Sequence, residues 1–332
     1  MVVNESISRD LLRLVVWYPL RVLILMLPVR WGVVTLKTMG DIHYSLSIGK
    51  RRAVRRNLEN IRENAGSQVG DGNERAVREY FRNHYIDHLL ILIFPKFKIR
   101  EVEKFITIEG LDHLRTVLGL GKGAILVHGH FGPVHLPLVA LARLGYRIKQ
   151  IGLPSDEGLS WIGRNVAFRL RMKYESLLPA EIIKADSFLR EAFRWLHNNG
   201  IIMTTGDGSG TDRRLGKHSI FHLFGHPVLF PLGPAILSQK TAAAILPMFI
   251  IPGENGHTYK IIIEKPLLSE KTGIKAVSDI TGQFVNRLET YISSYPGYMH
   301  FLDRFSPDKL IVKEQETGDR LQETKDINGL NV

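Results

Sequence analysis

The feature that most constrains the fold is the alternation of short apolar runs with helical patterns after Pro95. The apolar runs predict strands at 105–108, 124–127, 146–151, 201–205, 243–251 and 259–263. The helical patterns predict helices at 111–118, 134–144, 159–172, 185–198, 234–240 and 276–295. Strands that alternate with helices form a largely parallel sheet flanked by helices on both faces. The predicted fold class is therefore α/β.

The N-terminal region predicts contact with a membrane. Residues 11–36 are dense in leucine, valine, isoleucine, tryptophan and methionine, but Arg13, Arg21, Pro28 and Arg30 interrupt them. A helix that spans a bilayer needs roughly 20 predominantly apolar residues, and no uncharged stretch here is that long. A helix that lies in the membrane interface is the better interpretation. We expect residues 1–47 to form membrane-associated helices.

The charge balance narrows the class of partner. The net charge of +11 favours an acidic surface. The basic run Lys50–Arg56 suits anionic headgroups on a cytoplasmic leaflet, although a solvated helix face is the other interpretation. No nucleic-acid-binding motif accompanies this run. We therefore expect an anionic membrane surface and no nucleic acid as partner, and a location on the cytoplasmic face of the cell inner membrane.

The rest of the chain shows no repeat and no clear interdomain linker. We expect a single α/β domain at 48–305. Residues from Pro307 onward are polar, charged and poor in aromatic side chains, which is typical of disorder. The sequence thus predicts a disordered tail at 306–332.

Two histidines bracket a glycine where the buried strand at 124–127 ends. They are His128 and His130, on either side of Gly129, and a helical pattern follows. In α/β sheets, functional groups collect where strands end and loops begin. The position predicts that His130 faces a substrate, close to backbone N–H groups.

The sequence disfavours a cysteine or serine nucleophile and a phosphate-binding loop. The chain has no cysteine, which excludes thiolate catalysis and cysteine-ligated metals. Ser209 has Asp207 and Thr211 where a nucleophile elbow carries glycines. The glycine-rich segment 119–123 precedes a strand, whereas a phosphate loop follows one. A histidine without such a nucleophile suits direct general-base catalysis on a hydroxyl.

The segment His130–His135, with sequence HFGPVH, resembles the His-x-Gly-Asn-Trp-Glu signature of the bacterial lipid A biosynthesis acyltransferases. These are lauroyl and myristoyl transferases within the lysophospholipid acyltransferase superfamily. Further matches follow in the family's order over residues 50–306. They are Arg55–Leu58, Tyr80–Asn83, Asp207, Leu223–Gly225, Gly233–Thr241 and Tyr295–Phe305. The resemblance implies a glycerolipid acyltransferase-like fold.

The resemblance also implies a reaction. In that family a fatty acyl group passes from an acyl thioester to a lipid hydroxyl. Acyl carrier protein or coenzyme A is then the donor carrier, a membrane glycolipid or phospholipid is the acceptor, and no cofactor or metal is expected. His130 corresponds to the base of the family, and His135 stands where the family has the carboxylate that orients it.

His135 is a departure, because a neutral imidazole cannot supply negative charge beside a developing imidazolium. Three accounts are open. Another carboxylate orients His130, with Asp207 the first candidate and Asp156 or Glu157 next. Alternatively, His128, His130 and His135 form a different base arrangement. In the third account the protein is a degenerate family member that binds lipid without turnover.

Three residues are candidates for substrate binding. Arg164 corresponds to an arginine on the family's helix after the second strand, although Arg169 and Arg171 compete for that alignment. A guanidinium at this place suits a phosphate or an acyl-donor group. Arg213, in the loop after the fourth predicted strand, and Gly132, in the histidine segment, complete the predicted set.

Overall fold

A computed structural model of the chain describes residues 7–64, 72–152, 154, 156–178, 180–185, 190–208, 216–254, 256 and 258–303. The predicted tail at 306–332 lies outside these residues. The α-helices are α1 (Ile7–Val15), α2 (Arg21–Met26), α3 (Val29–Leu46), α4 (Ile48–Asn64), α5 (Gly72–Leu89), α6 (Ile99–Phe105), α7 (Leu111–Gly119), α8 (His135–Arg143), α9 (Arg169–Glu175), α10 (Arg190–His197), α11 (Gly233–Thr241) and α12 (Gly273–Ser294). π-Helical segments occupy Val16–Leu20 and Gly163–Phe168, and 3₁₀ turns occupy Leu90–Lys96 and Pro296–Tyr298.

The strands form one large sheet and one hairpin. They are β1 (Ile106–Glu109), β2 (Ala124–His128), β3 (Ile148–Gly152), β4 (Glu181–Lys184), β5 (Ile201–Thr205), β6 (His218–Leu223), β7 (His226–Pro231), β8 (Ala244–Pro252) and β9 (Tyr259–Ile263). The large sheet has seven strands in the order β1-β9-β8-β2-β5-β3-β4, and β6 pairs with β7. Only the β8–β9 pairing in the large sheet is antiparallel. The predicted α/β class with a mainly parallel sheet is confirmed.

The centre of the sheet explains why its strands are continuous apolar runs. Every residue of β2 is buried, because β5 and β8 pair with it on either side and helices cover the sheet. Parallel strands that are buried on both faces lose the alternation of polar and apolar residues. The carboxyl ends of β2, β3 and β5 consequently meet at one edge, beneath the loops that follow them.

Two β elements have no clear sequence signal. β4 is a four-residue strand at the edge of the sheet, with Ile183 as its buried residue and charged side chains at both ends. The β6–β7 hairpin contains histidines and prolines and is only partly buried. Edge and hairpin strands bury fewer side chains, so their apolar pattern is weak.

The N-terminal helices pack onto the rest of the molecule. The chain stays helical from α1 through the π-helical segment, which contains Pro19, to the end of α2. Helix α3 then lies along α5, where Asp41 accepts hydrogen bonds from Arg78 and Arg82. Their buried side chains belong to the same core as the sheet. Among the described residues, no helix combines the length and apolar character needed to cross a bilayer.

A glycine allows the close approach of α3 to α5. A Cβ on Gly40 would lie 2.6 Å from the Cα of Arg82, whereas a Cβ on Gly49 in α4 would meet nothing within 4 Å. We expect Gly40→Ala to lower the free energy of unfolding by about 1–3 kcal/mol, because the two backbones must separate. Gly49→Ala is the matched control and should leave stability unchanged or slightly raised. Urea denaturation of both variants measures the difference, and equal stabilities would contradict this account of the packing.

Candidate active site

The sheet brings His130 and Asp207 together. Neighbouring strands β2 and β5 are parallel, and His128 is the register partner of Thr205. His130 and Asp207 each lie two residues beyond that pair, in the loops that leave the same edge. The residues are far apart in sequence, so the strand register is what brings these two loops side by side.

Both carboxylate oxygens of Asp207 bind the same residue. Oδ1 lies 2.8 Å from the imidazole Nδ1 of His130, and Oδ2 accepts the backbone N–H of His130 at 2.6 Å. An ionised carboxylate can only accept, so Nδ1 carries the proton and donates it. Nε2 is then the unprotonated ring atom. The imidazole is thus fixed in one tautomer and one orientation, with Nε2 able to take a proton.

Two glycines make room for this pair. A Cβ on Gly129 would stand 2.7 Å from Leu288 and 3.2 Å from the Oδ2 atom of Asp207. A Cβ on Gly206 would come within 2.4 Å of the Phe284 ring. These glycines therefore let α12 close over the two loops, which keeps the His130–Asp207 pair mostly buried.

Burial and charge act in opposite directions on the pair. Burial by itself lowers the pKa of His130, but the charge and hydrogen bond of Asp207 outweigh it, and the pKa is raised above 6.5. Burial raises the pKa of Asp207, yet its interactions with His130 lower that pKa below 3.8. Each group thus stabilises the charged form of the other. His130 gains basicity from a carboxylate that remains ionised.

The two other histidines of the motif occupy different environments. His128 is buried at the end of β2, where burial lowers its pKa to about 4, and its Nδ1 bonds the Gly129 carbonyl. His135 begins α8, with its ring facing that of Phe94 at a centroid distance of 6.5 Å. Among the described residues no hydrogen bond links His135 to His130. The carboxylate that binds the His130 imidazole is Asp207, as in the first of the three accounts.

Residues that follow α12 form hydrogen bonds to the loop that carries His130. The backbone N–H of His300 donates to the His130 carbonyl at 2.9 Å, and its ring Nε2 bonds the Gly132 carbonyl at 2.7 Å. The N–H of Gly132 donates to the Tyr298 carbonyl at 2.7 Å. Both backbone groups of Gly132 are therefore occupied within the chain. Its φ of +66° favours glycine at this turn.

An open cavity lies next to this segment. It is lined by Lys50, Tyr80, Asn83, His84, Asp87, His88, Gly297, Met299, His300, Phe301 and Asp303. The Phe301 ring contacts His130 at a centroid distance of 5.5 Å and also forms part of the cavity wall. Phe301 adopts a φ of +58°, a strained conformation for a bulky residue. The cavity thus adjoins His130 through His300 and Phe301.

The predicted Arg164 lies away from His130. Arg164 lies in the second π-helical segment, where its Nε pairs with Asp156 at 3.1 Å and both side chains are about half exposed. In the part of the chain that the structure describes, no hydrogen bond or ion pair joins Arg164 to His130. Arg213 lies outside the described residues. Neither Asp156 nor Glu157 forms a described hydrogen bond with His130, whose carboxylate partner is Asp207.

A second carboxylate, Asp87, lies near the loop that carries His130, and no sequence pattern predicts its role there. Asp87 accepts the N–H of Val134 at 3.2 Å, although it belongs to α5 and not to the loop. Its neighbours His84 and His88 suggest only packing or surface positions on a helix. His300 likewise comes from a distant segment, which the resemblance matches but gives no chemical role. Such contacts depend on tertiary packing and leave no local pattern.

The ionisation of His130 can be tested without any substrate. We expect Asp207→Asn to lower the pKa of His130, because burial then acts without the opposing charge. Asp156→Asn removes a carboxylate that pairs with Arg164 and should leave the pKa of His130 unchanged. Titration of the histidine ring resonances by NMR measures both. A His130 pKa unaffected by Asp207→Asn would refute the electrostatic description of the pair.

Comparison with known proteins finds two relatives and one family. Two phosphatidylinositol mannoside acyltransferases, from two strains of Mycobacterium tuberculosis, are each 27% identical over 233 residues. That alignment covers 69% of this chain and 66% of each relative, just under two thirds of their length. The family model described as bacterial lipid A biosynthesis acyltransferase matches residues 6–306. The chain belongs to the bacterial lipid A biosynthesis acyltransferase family.

Proposed function

We propose that the protein transfers a fatty acyl group from an acyl thioester to a hydroxyl of a membrane glycolipid or phospholipid. The observation that carries the proposal is the His130–Asp207 pair, with Nδ1–H donating to a carboxylate and Nε2 left as a base. Membership of the family supports the reaction class. The donor is a thioester of acyl carrier protein or coenzyme A.

The reaction follows from the geometry of His130. Nε2 accepts the proton of the acceptor hydroxyl as its oxygen attacks the thioester carbonyl, and a C–O bond forms. Asp207 stabilises the resulting imidazolium, since its charge already favours that form. Collapse of the tetrahedral intermediate breaks the C–S bond. The imidazolium then returns its proton to the departing thiolate, so the base is regenerated.

The contact between Asp207 and His130 argues against the alternative of a protein that binds lipid without turnover. That alternative rests on His135 in place of the signature's glutamate. Because Asp207 binds the imidazole directly, the absence of a carboxylate at position 135 does not leave His130 without a charged partner. We therefore favour turnover over lipid binding alone.

The surroundings of His130 support a hydroxyl-rich acceptor. The adjoining cavity presents imidazoles, carboxylates and an amide, together with the aromatic rings of Tyr80 and Phe301. Such a lining suits a polar headgroup more than an acyl chain. The named relatives act on a phosphatidylinositol mannoside, which is a glycolipid. A membrane glycolipid is accordingly the first acceptor class to test, and a phospholipid is the second.

Arg164 remains a proposed contact for an anionic group of donor or acceptor. Its ion pair with Asp156 is exposed, and exposed pairs of this kind contribute only about 0–1 kcal/mol. A phosphate with bidentate geometry can therefore displace Asp156. Arg213 and the backbone of Gly132 are less direct candidates, because the former lies outside the described residues and the latter is bonded within the chain.

The catalytic proposal predicts a graded loss of activity. We expect His130→Ala to abolish acyl transfer and Asp207→Asn to lower kcat by up to about 10⁴-fold, as removal of an orienting carboxylate does in a serine-protease triad. The acid limb of kcat/KM should also move to lower pH in Asp207→Asn, because activity requires neutral His130 and its pKa falls.

The measurement is mass-spectrometric lipid profiling of a deletion strain complemented with each variant, together with a purified-protein assay using acyl carrier protein and coenzyme A thioesters. His197→Ala, which alters an exposed histidine at the end of α10, is the matched control and should retain activity. Equal rescue by wild type and His130→Ala would reject the proposed function.

We further propose that the first two helices rest on the membrane, since their polarity is inverted. Apolar side chains form the exposed face, at Ile7, Leu11, Leu12, Val15, Tyr18, Val22, Leu23 and Met26. Asp10, Arg13 and Arg21 are instead partly buried against the protein. Asp10 and Arg13 bond the Ser160 hydroxyl, and Arg21 bonds the Tyr174 hydroxyl. A helix with this arrangement suits hydrocarbon outside and protein inside.

A tryptophan extends the apolar face. Trp161 is 73% exposed and directly follows Ser160, whose hydroxyl is bonded to Asp10 of α1. Tryptophan is enriched where proteins meet the membrane–water interface. Together with the basic residues of α4, this face supports a peripheral position on the cytoplasmic leaflet of the inner membrane.

The membrane-facing surface can be tested with vesicles. We expect Val22→Glu combined with Leu23→Glu to weaken binding more than tenfold, because burying each side chain contributes about 1.5–3 kcal/mol. Leu268→Glu combined with Ile274→Glu changes two other exposed apolar residues and is the control. Cosedimentation with phosphatidylglycerol-containing and phosphatidylcholine vesicles gives the affinities. Equal weakening by both pairs would contradict a specific membrane face.

A further inference from the structure

Asp87 is a largely buried carboxylate outside the His130–Asp207 pair. It projects from α5, and its side chain is 12% exposed. Oδ1 accepts the backbone N–H of Val134, while Oδ2 lies 3.8 Å from Nδ1 of His300 and 3.7 Å from Nδ1 of His88. One side chain thus touches the start of α8, the C-terminal segment and its own helix.

The contacts of Asp87 lead to His130 by two short routes. Val134 belongs to the loop that begins at His130, so the first route is the backbone of that loop. The second route passes through His300, whose N–H bonds the His130 carbonyl and whose Nε2 bonds the Gly132 carbonyl. The Asp87 carboxylate is therefore hydrogen-bonded to one end of the loop that carries His130, and it lies near His300, which is bonded to the other end.

Asp87 also supplies charge. Burial raises its pKa, but the imidazoles of His300, His88 and His135 and the N–H of Val134 outweigh burial and lower that pKa to about 2. Burial lowers the pKa of both His135 and His300. Asp87 is thus a largely buried carboxylate that stays ionised beside His135 and His300, two imidazoles whose charged form burial disfavours.

The charged and titratable groups around Asp87 come from every element packed against it. They are His84 and His88 on α5, His135 on α8, Lys50 on α4, His130 in the loop, and His300 and Asp303 in the C-terminal segment. Lys50 pairs with Asp303 at 3.4 Å. Burial lowers the pKa of His130 and Asp207 raises it most; the charge of Asp87 raises it further, by less than Asp207 does.

We infer that Asp87 is a positioning residue for His130, holding the catalytic loop through Val134 and His300 and supplying the carboxylate that faces His135. This rests on the proposed function, in which His130 is the base. The position where the resembling signature has glutamate is neutral here, and the negative charge comes from α5. Asp87 hydrogen-bonds to Val134, the residue directly before His135, so this carboxylate lies next to the position of the signature's glutamate.

The first test uses Asp87→Asn, because an amide oxygen still accepts the Val134 N–H while the charge is lost. We expect kcat about 10- to 100-fold lower with little change in KM, as for a misplaced catalytic group. The acid limb of kcat/KM should shift to lower pH. His300→Gln keeps a donor for the Gly132 carbonyl and should also lower kcat, without adding to the effect of Asp87→Asn.

Asp41→Asn is the matched control. Asp41 also faces α5, where it bonds Arg78 and Arg82, but it has no described hydrogen bond to the His130 loop. It should lower the melting temperature and leave the pH profile unchanged. A purely structural Asp87 would behave in the same way, so an unshifted acid limb in Asp87→Asn would overturn the inference. If that variant does not fold, unchanged kcat in His300→Gln overturns it equally.

A double variant at positions 87 and 135 tests whether Asp87 supplies the negative charge that the signature's glutamate would supply. His135→Glu alone places a second carboxylate beside a buried one, which is unfavourable, and activity should fall at least tenfold. Asp87→Asn in the His135→Glu background should restore part of that activity. Simple addition of the two losses would contradict the inference. NMR titration of His130 separates the two proposals: an inactive wild type with an Asp87-dependent His130 pKa would reject the acyl-transfer function and keep the positioning role.

Discussion

The bidentate contact between Asp207 and His130 is the interaction on which the site depends. It spans two adjacent parallel strands, so it requires the β2–β5 register, and it requires Gly129 and Gly206 to let α12 close over the loops. A buried carboxylate without partners costs several kcal/mol. Here its two oxygens bind one backbone N–H and one ring N–H, which satisfies the charge while fixing the tautomer. The basicity of His130 therefore depends on the β2–β5 pairing and on the packing of α12.

The contact between Asp207 and His130 changes which side chain is needed at position 135, five residues after the base. When a carboxylate from β5 already binds Nδ1, a carboxylate at position 135 is not needed for the tautomer, and His135 is compatible with a functional base. The negative charge at the start of α8 then comes from Asp87. Two carboxylates, Asp207 and Asp87, thus contact the loop of His130 from elements that are remote from it in sequence. A signature is thus better judged by the charges around the imidazole than by the identity of one residue.

The sequence predicts the parts of this arrangement that leave a local pattern. Continuous apolar runs predict the buried strands, and the position of His130 after β2 and of Asp207 after β5 follows from them. The resemblance adds the order of the motifs. Asp87 and His300 could not be predicted, because their importance arises only when α5 and the C-terminal segment pack against the loop. β4 and the hairpin are missed for a related reason, since strands that bury few residues have weak patterns.

Helices α1 and α2, with their exposed apolar side chains, are connected to the sheet edge that carries His130. β3 is parallel to β5, so Gly152 ends at the edge that carries His130, and Ser160, which binds α1, follows within roughly 29 Å of extended chain. From the other end, Lys96 donates to the Leu25 carbonyl of α2, and nearby Phe94 contacts His135. Both links connect the apolar face to the loops around the base. On the proposed function the acceptor is a membrane lipid, and these contacts join the apolar face, which we propose meets the membrane, to the loops around His130.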